Sequence, residues 1–527
     1  MFRFVFLALA LIAHAGVAEA RWREASTRHF LIYSEGTEAE LRRAAEQMER
    51  YDSMLRLATG VSDPERSPAT RVTIFYLRDS AKVREMANMR DSGVLAFYLP
   101  YASGGIIFAP RIDYRLNRAG SLNRHQNMNE TFSAQSTLLH EYTHHFMFNN
   151  FNFGAPLWLQ EGYPEFFSTA RFEEDGSMTI GAPPAERRDE IASGSEINAE
   201  HILLRPEDNR QVAGIYAIGW LMSHYLTLHP DRQGRELLQY YRALAAGQTP
   251  AQAASAFGDL GQLTSQLRDY RRTREFPASR IPAERLSTGP IVIRELSPAE
   301  DSIMEVRMTS KRGVNRSRAR NLVADARRIA ANHPNDAFVQ VTLAEAEYDA
   351  HNWDLAEAAA DRAIAADPNM VDAHLYKARA IWARAKEAED KSPETWREVR
   401  RILAAANRLD PGDPEPLMLF YQSYEPQGIE PTENAVAGLI TAHQLAPQAD
   451  GLRMLAVREF LRKGEAQRAA LAWGPLVGGG HSGRYSEDME AITTMIRAGD
   501  AQGAFAKIEE LRAELRRRAE AQGEDED

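Results

Sequence analysis

Four prolines divide the second half of this chain into units of similar length, and each follows a stretch with helical character. They are Pro334, Pro368, Pro411 and Pro447, at intervals of 34, 43 and 36 residues. Proline ends helices because it lacks an N–H group and its ring clashes with the preceding turn. A regular spacing of helix ends in alanine-rich sequence predicts helical pairs, each of which buries its apolar face only by stacking on its neighbours.

Small residues occupy the positions at which the two helices of such a unit cross. In the unit that ends at Pro368 they are Ala344, Ala356 and Ala363. This combination resembles the tetratricopeptide repeat, and the resemblance implies an all-α solenoid over residues 313–480 that binds a partner protein. The aromatic residues typical of that repeat are mostly absent, and the longest interval needs an insertion near 386–392. An alanine-rich helical bundle without a strict repeat is therefore the alternative.

The first half of the chain mixes strand and helix patterns, which predicts an α+β lobe. The sequence predicts a helix over 37–58, a strand over 72–77 and a long helix over 131–148. Two further predicted strands, over 93–98 and 105–109, are joined by a turn around 100–104. The run 104–108 is a candidate for the sheet edge that aligns an extended peptide through main-chain hydrogen bonds.

The long predicted helix contains the sequence His-Glu-Tyr-Thr-His, with its histidines at His140 and His144. Four residues apart on a helix, the two imidazoles project from one face and can reach one metal ion. Glu141 lies between them, where a carboxylate can accept a proton from water. Glu161, in the following sequence Trp-Leu-Gln-Glu-Gly, offers a third ligand. Three protein ligands with one open position are typical of a catalytic zinc site, which lowers the pKa of bound water to about 7.

A third segment, Tyr-Ala-Ile-Gly, begins at Tyr216. Together the three segments resemble the gluzincin metallopeptidases, a peptidase-MA-like group that includes aminopeptidase N. That family combines HExxH with W-L-x-E-G and then Y-x-x-G, and the match covers roughly residues 130–230. The resemblance implies an N-terminal metallopeptidase lobe with a helical zinc-binding subdomain.

The resemblance also implies a role for each matching residue. It assigns the Zn²⁺ ion to His140, His144 and Glu161, the general base to Glu141, and oxyanion stabilisation to Tyr216. The segment with which aminopeptidases hold a free N-terminus is missing, so exopeptidase activity is not implied. An endopeptidase, or an enzyme acting on a different amide, remains open.

Other residues near these motifs have two interpretations. Glu165 lies on the same helix face as Glu161, so it is either an acceptor for the second N–H of a ligand histidine or a surface carboxylate. Tyr225 is a weaker alternative to Tyr216, and His145 is interpreted as structural.

The sequence gives three further expectations for residues other than the motif residues. His29 is interpreted as a histidine on a strand surface, with nothing nearby to complete a site. Pro164 predicts that Glu161 lies near the start of its helix, because proline is tolerated in a first turn. The aromatic loop 151–153 either lines the cleft or packs into the core.

The N-terminus and the overall charge restrict the class of protein. Arg3, the apolar run 4–13 and the sequence Ala-Glu-Ala ending at Ala20 predict a secretory signal peptide over 1–20. Ten apolar residues are too few to span a bilayer, so no stable membrane anchor is expected after signal removal. The lack of cysteine fits an exported protein of a periplasm or a secreted one. The net charge of −11 without a basic cluster argues against nucleic acid as a partner.

Five segments follow from these patterns: a signal peptide (1–20), a metallopeptidase domain (21–275), a linker or bridging element (276–312), helical repeats (313–480), and C-terminal helices with an acidic tail (481–527). Two β-like runs, 291–296 and 303–308, lie in the bridging element.

The predicted function is an exported zinc metallopeptidase that cleaves a peptide or protein, with repeats that recruit a partner or the substrate. The alternative is an inactive scaffold protein that retains a peptidase-like lobe, and the intact Glu141 favours the enzyme.

Overall fold

The computed structural model describes residues 21–89, 94–111, 124–193, 196–478 and 486–524. The predicted signal peptide and the last residues of the acidic tail lie outside the described residues. The described part of the chain forms two sheets from these strands: β1 Arg23–Ser26, β2 Phe30–Ser34, β3 Val72–Leu77, β4 Phe97–Tyr101, β5 Gly104–Pro110, β6 Arg171–Phe172, β7 Met178–Ile180, β8 Ser279–Ile281 and β9 Val292–Glu295.

Helices make up most of the remaining structure. Those that precede β8 are α1 Glu38–Thr59, α2 Ser80–Met86, α3 Arg124–Asn150, α4 Leu157–Ser168, α5 Arg188–Ser193, α6 Ala199–Leu204, α7 Ile215–Leu228, α8 Arg235–Ala245, α9 Pro250–Ala253 and α10 Leu260–Tyr270. Those that follow β9 are α11 Pro298–Arg312, α12 Arg316–Ala330, α13 Ala337–Asp349, α14 Trp353–Ala366, α15 Val371–Glu387, α16 Pro393–Leu409, α17 Pro414–Gln422, α18 Glu433–Leu445, α19 Asp450–Arg462, α20 Ala466–Gly478, α21 Ser486–Arg497 and α22 Ala501–Glu524. The N-terminal half is thus a mixed lobe, and the C-terminal half is helical.

The larger sheet has six strands in the order β4-β5-β3-β2-β1-β9. Its central strands β2, β3 and β5 are parallel, whereas β4, β1 and β9 are antiparallel to their neighbours. The prediction that 104–108 forms the sheet edge is wrong, because β5 pairs on both sides and all its residues are buried. The edge strand next to β5 is β4, which contains Pro100, and an edge tolerates the missing N–H of proline.

The turn between these two strands also differs from the prediction. It consists of residues 102–103, because β4 continues through Pro100 to Tyr101. Proline signals a turn in sequence, but on an edge strand its nitrogen can face away from the pairing partner.

Both faces of the six-stranded sheet are covered by helices. On one face the sheet packs against α1 and α3, with Tyr51 and Leu139 fully buried in the shared core. On the other face α2 and α11 cover it, and Met304 and Met308 of α11 contact aromatic residues of β3 and β5. The opposite side of α11 contributes Ile303 to the core of the helical region. One helix therefore belongs to both halves and joins their cores.

The segment 276–312 carries more structure than a linker would. Strand β8 extends the small sheet β6-β7-β8, and β9 extends the large sheet next to β1, which agrees with the predicted run 291–296. The predicted β-like run 303–308 is wrong, since these residues lie within α11. A capping box between Ser297 and Glu300 starts this helix, and such a local signal outweighs the β-like run that follows it.

The helical region repeats a two-helix unit. The first helices of successive pairs begin at Ala337, Val371, Pro414 and Asp450, which follow the spacing of the prolines. The three predicted crossing residues, Ala344, Ala356 and Ala363, are each 0% exposed. The longest interval arises because α15 and α16 have 17 residues each, whereas α13 has 13 and α14 has 14. Among the described residues, no helix is long and apolar enough to cross a membrane.

Candidate metal centre

Two neighbouring helices bring the three predicted metal ligands together. Helix α3 carries His140 and His144, and α4 carries Glu161. The two Nε2 atoms are 3.1 Å apart, and Oε2 of Glu161 lies 3.6 Å from His140 Nε2 and 3.5 Å from His144 Nε2. Among the described residues, this is the group of histidine and acidic side chains whose ligand atoms converge closely enough for a metal ion.

The spacing of these atoms fits a tetrahedral ion. Zinc lies about 2.0–2.1 Å from nitrogen and oxygen ligands, so two ligand atoms of a tetrahedron are separated by about 3.3–3.4 Å. The three measured separations lie close to that value. Two nitrogens and one carboxylate oxygen are also a donor set that zinc accepts.

The charges of the site favour an ionised carboxylate beside the imidazoles. Burial alone raises the pKa of Glu161, but hydrogen bonds to both histidines hold that pKa well below its usual range. Burial lowers the pKa of His144, yet the hydrogen bond and the charge of Glu161 raise it above the usual value. The raised pKa of His144 means that protons compete with a metal ion for this imidazole.

Helix α4 begins earlier than the sequence predicts. Its first residue is Leu157, so Glu161 lies in the second turn and Pro164 lies inside the helix. The prediction that Pro164 belongs to a first turn is wrong. Inside the helix, Pro164 removes one backbone hydrogen bond, the one that residue 164 would donate to the carbonyl of Gln160.

The oxyanion candidate Tyr216 reaches the same site from α7. Burial and the charge of Glu161 raise the pKa of Tyr216 to about 12. The phenol therefore keeps its proton at neutral pH and can donate a hydrogen bond. The alternative Tyr225 lies elsewhere, packed against His229 and Tyr270.

A contact between two glycines sets the distance between α4 and α7. A Cβ atom on Gly162 would lie 2.2 Å from the carbonyl carbon of Gly219, and a Cβ atom on Gly219 would lie 2.5 Å from the carbonyl oxygen of Trp158. The two backbones are thus in direct contact, which any larger side chain would prevent. Gly162 follows Glu161 directly, and Gly219 is one helical turn from Tyr216, so this contact places the ligand next to the phenol.

Glu141 lies next to the ligand His140 on α3. Its side chain is partly exposed, and its charge contributes to the raised pKa of His144. Burial, the charge of Asp450 and the charge of Glu141 raise the pKa of Tyr98 on the edge strand β4. The charge of the candidate general base thus acts both on a metal ligand and on the edge strand.

Arg187 contributes to the site although the sequence did not identify it. Its guanidinium lies over the ring of Tyr216, 5.1 Å from the centroid, and its Nε donates to Glu165 over 3.4 Å. Glu165 is buried beside the site. The prediction that it accepts from a ligand histidine is wrong for His144, whose Nδ1 is buried without a hydrogen-bond partner in the part of the chain that the structure describes. Arg187 stands in a proline-containing turn with no motif around it, so no sequence signal marked it.

Helix α1 packs against the metal-bearing helix on the side that points away from the ligands. The two residues between Glu141 and His144 point away from the ligands and into this contact. Asp52 accepts a hydrogen bond of 2.6 Å from Tyr142, and the hydroxyl of Tyr51 is 2.7 Å from that of Thr143. These buried bonds fix the rotation of α3 about its axis and therefore the direction in which the ligands point.

The structure also shows the surroundings of two histidines and of the aromatic loop for which the sequence made predictions. His29 directly precedes β2 and lies 2.8 Å from Glu49 and 3.0 Å from Asp63. His145 is buried and bonds the Tyr98 hydroxyl over 2.8 Å, and burial lowers its pKa to about 3, as fits a neutral structural histidine. The aromatic loop 151–153 packs into the core, with Phe151 and Phe153 each 8% exposed.

Comparisons with known proteins leave the family open. No family model matches the chain, and no curated protein matches it at a significant level. The resemblance to gluzincins and to tetratricopeptide repeats thus remains a prediction from the motifs.

The glycine contact leads to a prediction about stability. We expect Gly162→Ala to destabilise the protein by about 1–3 kcal/mol or more, because the new methyl group would overlap the backbone of α7. Urea unfolding of the metal-free protein measures the effect. Gly438→Ala is the control, since its Cβ would meet only Leu417 at an ordinary 3.5 Å, and we expect a stabilisation of up to about 1 kcal/mol from helix propensity. Equal unfolding midpoints for Gly162→Ala and the wild type would show that the contact is not tight.

Proposed function

We propose that this protein is a zinc-dependent metallopeptidase of the gluzincin type. The observation that carries the proposal is the convergence of His140, His144 and Glu161 on one point, with three ligand separations between 3.1 and 3.6 Å. Structural zinc sites are usually closed by four protein ligands, whereas three ligands leave a position for water or substrate. The convergence therefore supports a catalytic site more than a structural one.

The residues around the site can each take a separate chemical role in amide hydrolysis. When bound, zinc supplies a Lewis acid that makes water acidic near neutral pH and polarises a carbonyl group. Glu141 accepts the proton that water loses as its oxygen bonds to the carbonyl carbon, and then delivers that proton to the amide nitrogen as the C–N bond breaks. Tyr216 donates a hydrogen bond to the carbonyl oxygen as that oxygen becomes negative.

The edge strand supports a peptide as the substrate. Strand β4 pairs only with β5 among the described strands, and α3 packs beside it. An extended peptide can add to such an edge through main-chain hydrogen bonds. Because α3 packs beside β4 and the charge of Glu141 acts on Tyr98 of this strand, a peptide added to the edge would lie near the ligand group, which supports cleavage within an extended segment.

Metal binding is the first prediction of this proposal. We expect the purified wild type to hold one zinc ion per chain, and Glu161→Ala to lose it because two histidines alone bind zinc weakly. Elemental analysis after dialysis measures the occupancy, with Glu200→Ala, an exposed carboxylate of the same lobe, as the control that keeps its zinc. A wild type without zinc after incubation with the metal would refute the proposal.

Catalysis by Glu141 is the second prediction. We expect Glu141→Gln to keep its zinc but to lose at least about a hundredfold in kcat, because an amide cannot accept the proton. A library of quenched fluorescent peptides measures cleavage. Equal cleavage by the variant and the wild type would contradict the assigned role, and no cleavage by either protein, both with zinc bound, would favour the inactive scaffold.

The third prediction concerns the phenol of Tyr216. We expect Tyr216→Phe to lower kcat by about 10²–10³-fold with little change in zinc content, because one donor to the developing oxyanion is lost. Tyr225→Phe is the matched control on the same helix, and we expect it to retain full activity. A larger loss of kcat in the Tyr225 variant than in the Tyr216 variant would reverse the assignment.

A further inference from the structure

The C-terminal end of the metal-bearing helix α3 is held by a residue from the helical region. Arg453 lies on α19 and is 1% exposed. Its guanidinium donates to the carbonyl oxygen of Phe148 on α3 over 3.3 Å and to two carbonyl oxygens of its own region, those of Pro447 and Ala472. The last carbonyl groups of a helix have no partner within the helix, and a cation there also opposes the negative end of the helix dipole.

The residue that Arg453 holds is in contact with a metal ligand. Phe148 follows His144 by one helical turn, and the two rings stack with centroids 5.9 Å apart and planes at 11°. The next carbonyl toward the N-terminus, that of Met147, is bonded by the N–H of Phe151 over 2.8 Å. The guanidinium thus bonds one of the last carbonyl groups of α3, that of the residue whose ring lies against His144.

Further contacts join the helical region to the lobe around the same helix. Gln448 donates to the carbonyl oxygen of Tyr101 at the end of edge strand β4 over 3.1 Å. Ala102, in the turn of this hairpin, packs against the cluster that includes Tyr421 and Leu439. The backbone of Gly154, in the loop after α3, is in direct contact with Gly474 of α20, since a Cβ atom on Gly154 would lie 2.6 Å from the Gly474 oxygen.

We propose that the helical region is a built-in support for the metal centre, and that Arg453 is the positioning residue through which it holds α3 and the imidazole of His144. This inference rests on the proposed function for its metal, but the hold on α3 is a property of the metal-free chain. It implies that the repeat surface next to β4 binds the hairpin of the same chain. The sequence predicts instead that the repeats bind a separate partner protein. The alternative is that the two halves touch without effect on the site.

The test compares two arginines of α19 in the full-length protein. Arg453→Met removes the bond to the Phe148 carbonyl of α3, whereas Arg458→Met removes a bidentate pair with Glu509 and a bond to the Tyr421 hydroxyl, neither of which involves α3. We expect Arg453→Met to weaken zinc binding about tenfold, as the loss of an outer hydrogen bond does in other zinc sites. Arg458→Met should stay within twofold of the wild type, measured by competition with a chromophoric chelator.

Hydrogen exchange supplies a second measurement that needs no metal. In the metal-free Arg453→Met variant we expect the amide of Phe151 to exchange at least about tenfold faster than in the wild type, because the last turn of α3 frays. Arg458→Met should leave this amide unchanged. Wild-type exchange together with wild-type zinc affinity in Arg453→Met would overturn the proposal.

The outcomes also separate this inference from the proposed function. If the wild type binds no zinc while Arg453→Met still accelerates exchange at Phe151, the proposed function fails and the support of α3 stands. If Arg453→Met does not fold, as judged by circular dichroism, hydrogen exchange of the Phe151 amide is measured in Arg453→Lys instead. Its single ammonium group keeps the charge but lacks the planar fork that reaches several carbonyls, so wild-type exchange at Phe151 in Arg453→Lys would overturn the proposal.

Discussion

The direct contact between the backbones of α4 and α7 is the constraint on which the candidate site depends. Gly162 and Gly219 lie so close that neither position has room for a methyl group. Because Glu161 precedes one glycine and Tyr216 lies one turn before the other, the contact keeps the carboxylate near the phenol, and burial and the charge of Glu161 raise the pKa of Tyr216. Large apolar residues surround the contact, so the two helices cannot separate without exposing a core.

Hydrogen bonds from several elements fix helix α3 against α4 and α7, and each of these bonds involves a residue near the metal ligands. From α1, Tyr51 and Asp52 bond the two residues that lie between Glu141 and His144. From the sheet edge, Tyr98 bonds His145. A metal site needs its ligands fixed before the ion arrives, since the cost of ordering them would otherwise reduce the affinity. The buried bonds supply that order.

Much of the local structure could be predicted from the sequence, and the failures share a cause. The helix over 37–58, the strand over 72–77 and the small crossing residues of the repeat follow from local patterns, and the structure has them. The edge of the sheet was placed on the wrong strand because strand order depends on pairing between distant segments. Arg187 was missed because its role comes from a contact with Tyr216, which no pattern around it indicates.

The sequence by itself determined which atoms are available: two imidazoles one turn apart, a carboxylate between them, and a second carboxylate and a phenol further along the chain. The arrangement of the two histidines depends only on local structure, because helical periodicity alone puts His140 and His144 on one face. The tertiary structure decided that Glu161 and Tyr216 converge on the same point, through a backbone contact between helices more than forty residues apart in sequence. It also decided that the helical region packs against the metal-bearing helix, because only folding brings Arg453 to the carbonyl of Phe148.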